Sequence, residues 1–250
     1  MARFFVDPQK IKNGFAFIGG QDAIHIAKVL RLGKGDRVLI LDGCGKSYEA
    51  VIENTGRDRV VCAITRKLPA EMAAGPRLIL VQGMPKGEKM DRIVKKCTEL
   101  GISRIIPLAC ERAVVSLEGE KARSRRERWQ RIAREASKQC RRPDVPVVDP
   151  LSGWDQVLEG LGPAVALIPW EEEGDLTLKH FLCENEPREQ VYIFIGPEGG
   201  FTSPEVERAF SYGVQPVTLG PRILRTETAG LAVVTMILYQ WGDLGGKSNG

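Results

Sequence analysis

Histidines and paired cysteines are scarce in this sequence. It contains only two histidines, His25 and His180, and its six cysteines are scattered without a C-x-x-C pair. A structural zinc site needs four closely spaced cysteine or histidine ligands, so we expect no metal site. The wide cysteine spacing also argues against a disulfide framework and indicates buried thiols in a reducing compartment.

Long apolar runs are also missing. No stretch reaches the length that a membrane-spanning helix requires, and the opening residues MARFFVDPQK hold too short an apolar run for a signal peptide. We therefore expect a cytoplasmic protein that does not enter a membrane. The most apolar segment, Ala229 to Trp241, has a length typical of a buried helix or a subunit interface.

Two common nucleotide-binding patterns do not occur in the glycine-rich loops. These loops match neither the dinucleotide pattern G-x-G-x-x-G nor the P-loop pattern with its lysine. A nucleotide-dependent oxidoreductase on a doubly wound sheet would need the first of these patterns. The sequence therefore disfavours that class of enzyme.

Basic charge is concentrated in the first 142 residues. Residues 121–142 hold 10 basic and 2 acidic side chains, whereas residues 143–250 hold 6 basic and 16 acidic ones. The apolar residues of the basic segment, such as Trp129 and Ala133, share one helical stripe, and most of its cations lie elsewhere. Such a concentration favours contact with nucleic acid, although a solvated helix face is the alternative.

The pattern of predicted secondary structure changes near residue 70. Short strand-like runs at 36–41, 47–53 and 58–64 predict a small β barrel or sheet. The later part predicts an α/β domain, because strands alternate with helical segments. Its predicted strands are RLILV (77–81), SRIIPL (103–108), AVALI (164–168), VYIFI (191–195) and VQPVTL (214–219).

The two parts are joined by PAEMAAGP, a segment typical of linkers because it is rich in proline, alanine and glycine. We place the boundary near residues 69 to 75. This divides the chain into a first domain of residues 1–72 and a second domain of residues 73–250.

One stretch of the second part, FIGPEGGFTSPE (194–205), breaks a strand abruptly with glycine and proline. Gly196 ends the strand, and Thr202 or Ser203 is a typical cap for a helix that runs until Gly213. A strand, a glycine loop and a helix in this order put backbone amides at the carboxyl edge of the sheet, where ligands usually bind. The same arrangement is also an ordinary connection between a strand and the next helix, with no ligand bound.

A second stretch, LGPRILRTETAG (219–230), again follows a strand with glycine and proline and leads into an apolar helix. Together with FIGPEGGFTSPE and with HIAKVLRLGKGD (25–36), it resembles the bacterial 16S ribosomal RNA uridine N3-methyltransferases of the SPOUT superfamily. The stretch REASKQCRRPDVP (134–146) is similar to a segment of that family, except that Cys140 stands where a small residue is usual. The resemblance covers nearly the whole chain.

This resemblance implies a fold and a function. The fold would be a small PUA-like β barrel followed by an α/β SPOUT methyltransferase domain with a deep trefoil knot. The function would be methylation of N3 of a specific uridine in 16S rRNA or the small ribosomal subunit, with S-adenosylmethionine as cofactor. The resemblance also implies a homodimer.

The resemblance further suggests which residues would contact cofactor and RNA. Gly196, Gly199 and Gly200 would let the main chain approach a ligand that a Cβ atom would block. The residues expected at the cofactor are Ile168, Pro169, Ile195, Gly196, Pro197, Gly200, Leu219, Gly220, Ile223 and Leu224. The cations expected on RNA phosphates are Arg3, Arg31, Lys34, Lys138, Arg141 and Arg142.

Three residues of the two loops are candidates for catalysis. The uridine imide must lose its proton before it accepts a methyl group, and Glu198 or Glu227 is a candidate base. Either could instead be a structural carboxylate that accepts hydrogen bonds from backbone or arginine. Arg225 could stabilise the uridine anion, or form a salt bridge to one of the two glutamates.

A different class of function stays open at this point. The chain could be a non-catalytic, ribosome-associated RNA-binding protein that keeps a decayed cofactor pocket. The intact glycines of the two loops argue against it.

Overall fold

The computed structural model describes residues 1–56, 58–69, 75–113 and 119–246. The chain divides into two compact units, Met1–Met72 with Ser137–Val145 and Ala73–Ala136 with Pro146–Gly250. The predicted linker falls largely on residues 70–74, which lie outside the described residues, so the division into residues 1–72 and 73–250 stays a prediction. Of the helices in these ranges, none has the length and apolar character needed to cross a membrane.

The first unit contains a six-stranded sheet in the order β1-β4-β5-β6-β3-β2. Its strands are β1 (Ala2–Phe5), β2 (Ile11–Lys12), β3 (Phe15–Gly19), β4 (Arg37–Leu41), β5 (Ser47–Thr55) and β6 (Arg59–Lys67). The strands predicted at 36–41, 47–53 and 58–64 are therefore confirmed, whereas the first three strands had not been assigned individually. β1 pairs parallel with β4, and the other neighbours are antiparallel.

Alternating apolar residues of these strands form the core of the first unit. Phe4, Val38, Ile40, Ile52 and Val60 are all buried in one cluster. The short helix α1 (Gly20–Ile24) runs into a π-helical turn at His25–Val29.

The second unit contains an all-parallel sheet in the order β12-β10-β11-β7-β8-β9. Its strands are β7 (Arg77–Gly83), β8 (Arg104–Leu108), β9 (Val147–Val148), β10 (Val165–Pro169), β11 (Gln190–Ile195) and β12 (Gln215–Val217). The five predicted strands are confirmed, and the very short β9 is an addition. The central strands are continuous apolar runs, as expected for strands covered on both faces.

Helices alternate with these strands. They are α2 (Lys89–Leu100), α3 (Gly119–Cys140), α4 (Trp154–Leu158), α5 (Leu178–Glu184), α6 (Ser203–Ser211) and α7 (Thr226–Trp241). The last residues of α3, from Ser137 on, belong to the first unit. The predicted apolar stripe of α3 is confirmed within this second unit, because Trp129 and Ala133 are buried while most of the cations are exposed. An α/β fold is thus established for this unit.

The strands β10, β11 and β7 are neighbours and end at Pro169, Ile195 and Gly83. Because parallel strands end at the same edge of a sheet, the loops that follow them meet there. This edge carries the candidate site.

Candidate active site

A cavity of about 390 Å³ opens at this edge of the second unit. The two glycine-rich and proline-rich stretches that stood out in the sequence both line it. The lining residues are Lys89, Pro169, Glu171, Ile195, Gly196, Pro197, Glu198, Gly199, Gly200, Phe201, Ile223, Leu224, Arg225, Thr226 and Ala229. The fold thus brings residues 195–201 and 223–229 to one site.

The loop after β11 is held in shape by a helix cap and a buried carboxylate. The Thr202 side chain and Glu205 form a capping box at the start of α6, which confirms the predicted helix start. Glu205, only 8% exposed, also accepts hydrogen bonds from the Glu111 backbone N–H at 2.8 Å and from Trp154 Nε1 at 3.0 Å. Arg112 Nη1 donates to the Gly199 carbonyl oxygen at 2.9 Å. These contacts make the loop a preformed wall of the cavity.

Two glycines permit the tight turn of this loop. A Cβ atom on Gly196 would lie 3.1 Å from the Gly200 backbone, so the close approach at Gly196 is to its own loop. Gly200 has a φ angle of +69°, in the left-handed region that favours glycine. That these glycines also let the main chain come close to a ligand stays a prediction.

The start of α7 is tied to the same loop by a buried hydrogen-bond chain. Thr226 Oγ1 donates to the Gly196 carbonyl oxygen at 2.6 Å and accepts from Gln82 Nε2 at 2.9 Å. Gln82 is fully buried at the end of β7 and also donates to the Gly83 carbonyl oxygen at 3.0 Å. Sequence reasoning missed both residues, although a glutamine within an apolar strand run is a signal that could have found Gln82.

Lys89, in the first turn of α2, joins the two candidate carboxylates. Its Nζ atom lies 2.8 Å from Glu198 Oε1 and 3.4 Å from Glu227 Oε2. The Lys86 backbone N–H donates to both Glu198 carboxylate oxygens, at 3.1 and 3.2 Å. Sequence reasoning missed Lys89, because nothing in its local pattern separates it from the other lysines of α2.

These contacts keep all three groups charged. Partial burial would raise the pKa of Glu198, but hydrogen bonds from Lys89 and from backbone N–H groups outweigh it and lower that pKa. A hydrogen bond from its own N–H, assisted by the charges of Lys89 and Arg225, lowers the pKa of Glu227. The hydrogen bond to Glu198 is the main reason that the pKa of Lys89 is raised. The contacts favour the structural role that the sequence left open for both glutamates, and a role as base stays a prediction.

Arg225 is an exposed residue that lines the cavity. Its backbone caps α7, with the carbonyl oxygen accepting hydrogen bonds from the N–H groups of Thr228 and Ala229, each at 2.8 Å. Its exposed guanidinium forms no hydrogen bond or ion pair with any residue that the structure describes, so the salt bridge to Glu198 or Glu227 is not observed. The guanidinium is thus available to a substrate.

Three of the expected cofactor residues do not line the cavity. Ile168 is fully buried in the core of the sheet, and Leu219 and Gly220 lie in the loop after β12. Glu227 does not line the cavity, but its Oε2 atom lies 3.4 Å from Nζ of the lining residue Lys89. The remaining expected residues, together with Glu198 and Arg225, do line it. Lining residues that sequence reasoning did not single out are Lys89, Glu171, Phe201, Thr226 and Ala229.

All six cations expected on RNA belong to the first unit. Arg3 Nη1 donates to the Arg141 carbonyl oxygen at 3.0 Å, which brings these two residues together. Lys138 pairs with Asp22 of α1 at 3.1 Å, and Arg142 pairs with its neighbour Asp144 at 2.7 Å.

Arg31, Lys34 and Arg141 have exposed side chains that form no ion pair with the residues in the described ranges. Arg31 and Arg141 also share a left-handed backbone, with φ angles of +54° and +66°. The expected cations therefore divide into free and paired ones.

Comparison with known proteins places both units in one family. Residues 73–238 match the model of an RNA methyltransferase domain, and residues 18–65 match that of an RNA methyltransferase PUA domain. The chain is 33% identical over 248 residues to the ribosomal RNA small subunit methyltransferase E of Bacillus subtilis, covering 96% of this chain and 97% of that protein. This chain belongs to the ribosomal RNA small subunit methyltransferase E family. Every residue that lines the cavity lies within the matched methyltransferase domain.

Solved structures of relatives carry the same fold along the whole chain. The ribosomal RNA small subunit methyltransferase E of Neisseria gonorrhoeae, solved bound to S-adenosyl methionine, is 33% identical with a TM-score of 0.85 and covers 97% of this chain and 99% of that one. A Legionella pneumophila protein described as a methyltransferase, solved with the bound cofactor SAM, is 28% identical with a TM-score of 0.84. It covers 97% of this chain and 98% of its own. The predicted family is therefore confirmed.

Proposed function

We propose that this chain transfers a methyl group from S-adenosylmethionine to N3 of a specific uridine in the 16S rRNA of the small ribosomal subunit. The observation that carries this proposal is the cavity built by residues 195–201 and 223–229 within the methyltransferase domain. Relatives that match nearly the whole chain are rRNA methyltransferases, and two of the similar structures hold S-adenosylmethionine.

The cavity fits this cofactor in size and in lining. Its volume of about 390 Å³ is within the range of about 300 to 1,000 Å³ typical of small-molecule sites. Apolar side chains such as Ile195 and Leu224 stand beside glycine backbone, which offers an apolar surface together with backbone hydrogen-bonding groups for a nucleoside. When bound, the cofactor supplies a methyl group on a positively charged sulfur.

The chain's own residues would orient the uridine and stabilise its charge. N3 of uridine is an imide nitrogen, and the loss of its proton leaves negative charge on the neighbouring carbonyl oxygens. The unpaired guanidinium of Arg225 would donate hydrogen bonds to such an oxygen. Lys89 would hold Glu198 and Glu227 in place and keep them ionised, so that both loops stay positioned around the reacting atoms.

The first unit would bind RNA through its cations. Residues 18–65 match an RNA methyltransferase PUA domain, and Arg31 and Lys34 lie inside this range. Phosphate contacts of this kind position the protein on RNA without reading its sequence. The free cations Arg31, Lys34 and Arg141 are the best candidates, because no acidic partner within the described residues competes for them.

We expect Arg141→Glu to weaken RNA binding and to flatten its salt dependence. Each lost phosphate contact should reduce the slope of log affinity against log salt by roughly 0.7 to 0.9. The measurement is a titration of a 16S rRNA fragment at several salt concentrations. Arg188→Glu, the same charge change in the second unit, should leave the slope unaltered. Equal slopes for wild type and Arg141→Glu would show that this segment is only a solvated surface.

Finer features of the fold belong to the same proposal. We propose that residues 1–72 form a PUA-like barrel and that residues 73–250 form a SPOUT domain with a deep trefoil knot. The path of the chain supports the knot: after β12 at the sheet edge, it returns so that Thr226 bonds to the Gly196 carbonyl beside the end of β11. Knots are otherwise very rare in proteins, so this feature rests on family resemblance together with that path.

We also propose a homodimer. Within α7, Met236 is 39% exposed and Tyr239 is 72% exposed, and Ile223 in the loop before it is 87% exposed. Apolar side chains of this size on a single helix and its preceding loop favour a covering partner.

Methylation of defined RNA tests the function directly. Purified protein and S-adenosylmethionine are incubated with 16S rRNA, or with small subunits, from a strain that lacks this gene, and the digested RNA is mapped by mass spectrometry. We expect one added methyl group on N3 of a single uridine. RNA binding without cofactor binding or methyl transfer would instead identify a non-catalytic RNA-binding protein.

A further inference from the structure

Four of the described residues that line the cavity are charged. Lys89 and Glu198 form an ion pair at 2.8 Å, and Arg225 is the residue that we propose for the uridine anion. The remaining charged lining residue is Glu171, two positions beyond the end of β10. Its carboxylate makes no hydrogen bond or ion pair with any residue in the described ranges.

Glu171 stands opposite the glycine loop. Its two carboxylate oxygens lie 3.3 and 3.4 Å from the position that a Cβ atom on Gly200 would occupy. The neighbouring acidic residues differ from it: Glu172 does not line the cavity, and Glu173 accepts hydrogen bonds from the N–H groups of Asp175 and Leu176. Glu171 is thus an exposed residue of the cavity wall whose carboxylate has no hydrogen-bond partner among the described residues.

The chemistry of the methyl donor matches this carboxylate. The methionine part of S-adenosylmethionine carries two cations, the α-ammonium and the sulfonium, and one anion, the α-carboxylate, so the donor is a net cation. Its adenosine part is neutral. Without Glu171, the charged groups on the wall would be one neutralised lysine–glutamate pair and one arginine, which together would repel a cationic ligand.

We propose that Glu171 recognises the positive charge of the methionine part of the methyl donor and thereby determines specificity for it. This inference rests on the proposed function, because it requires that the donor binds in this cavity. A carboxylate that meets an ammonium accepts a charge-assisted hydrogen bond, and one that meets a sulfonium gains Coulombic attraction.

Calorimetric binding of three ligands tests the inference in the intact chain. S-Adenosylmethionine has both cations, S-adenosylhomocysteine keeps only the ammonium, and 5′-methylthioadenosine has neither. The variants are Glu171→Gln and, as a matched control, Glu172→Gln, which removes the same charge from the adjacent exposed position. Both substitutions preserve side-chain size, and thermal melting checks that the variants fold.

We expect Glu171→Gln to weaken binding of S-adenosylmethionine by about 10-fold, the scale of one lost hydrogen bond to a charged group. Binding of 5′-methylthioadenosine should be unchanged, and Glu172→Gln should match wild type with all three ligands. If S-adenosylhomocysteine loses as much affinity as S-adenosylmethionine, the ammonium is the cation that Glu171 meets. If only S-adenosylmethionine loses affinity, it is the sulfonium.

Other outcomes overturn the inference. Equal losses of affinity for all three ligands would show that Glu171 contacts the adenosine part. No loss of affinity for any ligand would show that Glu171 does not contribute to binding. Either result leaves the proposed function standing, because wild type still binds the donor. Failure of the wild-type protein to bind S-adenosylmethionine would overturn the proposed function and this inference together.

Discussion

Arg225→Ala is expected to lower the single-turnover rate of methyl transfer by roughly 10²-fold or more, the scale seen when one preorganised hydrogen-bond donor is removed. Arg225 lines the cavity, and its guanidinium has no partner among the described residues. The capping contacts of Arg225 come from its backbone and survive the substitution. Cofactor affinity, RNA affinity and thermal stability should therefore change little. Rapid-quench kinetics with saturating enzyme and calorimetry with S-adenosylmethionine are the measurements.

Arg222→Ala provides the control for Arg225→Ala. Arg222 is exposed in the same loop but does not line the cavity, so its loss should not slow the reaction. Raising the pH should partly rescue Arg225→Ala, because more of the uridine is then deprotonated without help from the arginine. A joint loss of thermal stability and cofactor affinity would contradict the catalytic assignment and show that Arg225 stabilises the conformation of the loop.

Lys89→Met is expected to lower affinity for S-adenosylmethionine by roughly 10-fold to 100-fold, because Glu198 and Glu227 lose their shared cation and the two loops lose their common anchor. Lys89→Arg should restore most of the affinity, since it replaces the charge. Lys96→Met is the matched control, because Lys96 lies on the same helix and pairs with Glu99 on the surface at 2.7 Å.

The pH dependence of Lys89→Met separates this role from general loosening of the fold. In the wild-type protein the pKa of both carboxylates is lowered, so their contribution to stability is present above the unfolded value of about 4.3 and is lost as the pH falls through the folded values. Without Lys89 those pKa values should rise, and cofactor affinity should begin to fall at a higher pH than in wild type. If the affinity and pH profiles of Lys89→Met coincide with those of Lys96→Met, Lys89 does not position the loops.

Much of the fold was predictable because local signals are strong. The buried strand at 191–195 is a continuous apolar run, and the cap at Thr202 with Pro204 and Glu205 defines the start of α6 within a few residues of sequence. The strands β2 and β9 were missed because two residues carry no period that could reveal them.

Part of the candidate site was also predictable. Glycine and proline at the ends of strands mark loops, so Gly196, Pro197, Ile223 and Leu224 could be expected at a ligand, and the structure brings them to one cavity. Their contact with a cofactor stays a prediction. Ile168, by contrast, lies in the core rather than on the cavity wall, because alternate residues of a strand point to opposite faces of the sheet.

The sequence by itself determined the family, the main strands, the helices α3, α6 and α7, and the two loops, because these depend on residues that are close together along the chain. Only the tertiary structure decided the charge pairing and the hydrogen bonds of the site. Gln82 and Thr226 are 144 positions apart, and the Lys86 N–H and Glu198 are 112 positions apart, yet each pair is in direct contact. Such contacts arise because the carboxyl ends of β7 and β11 share one sheet edge with the start of α7, and no local pattern records which distant side chains meet there.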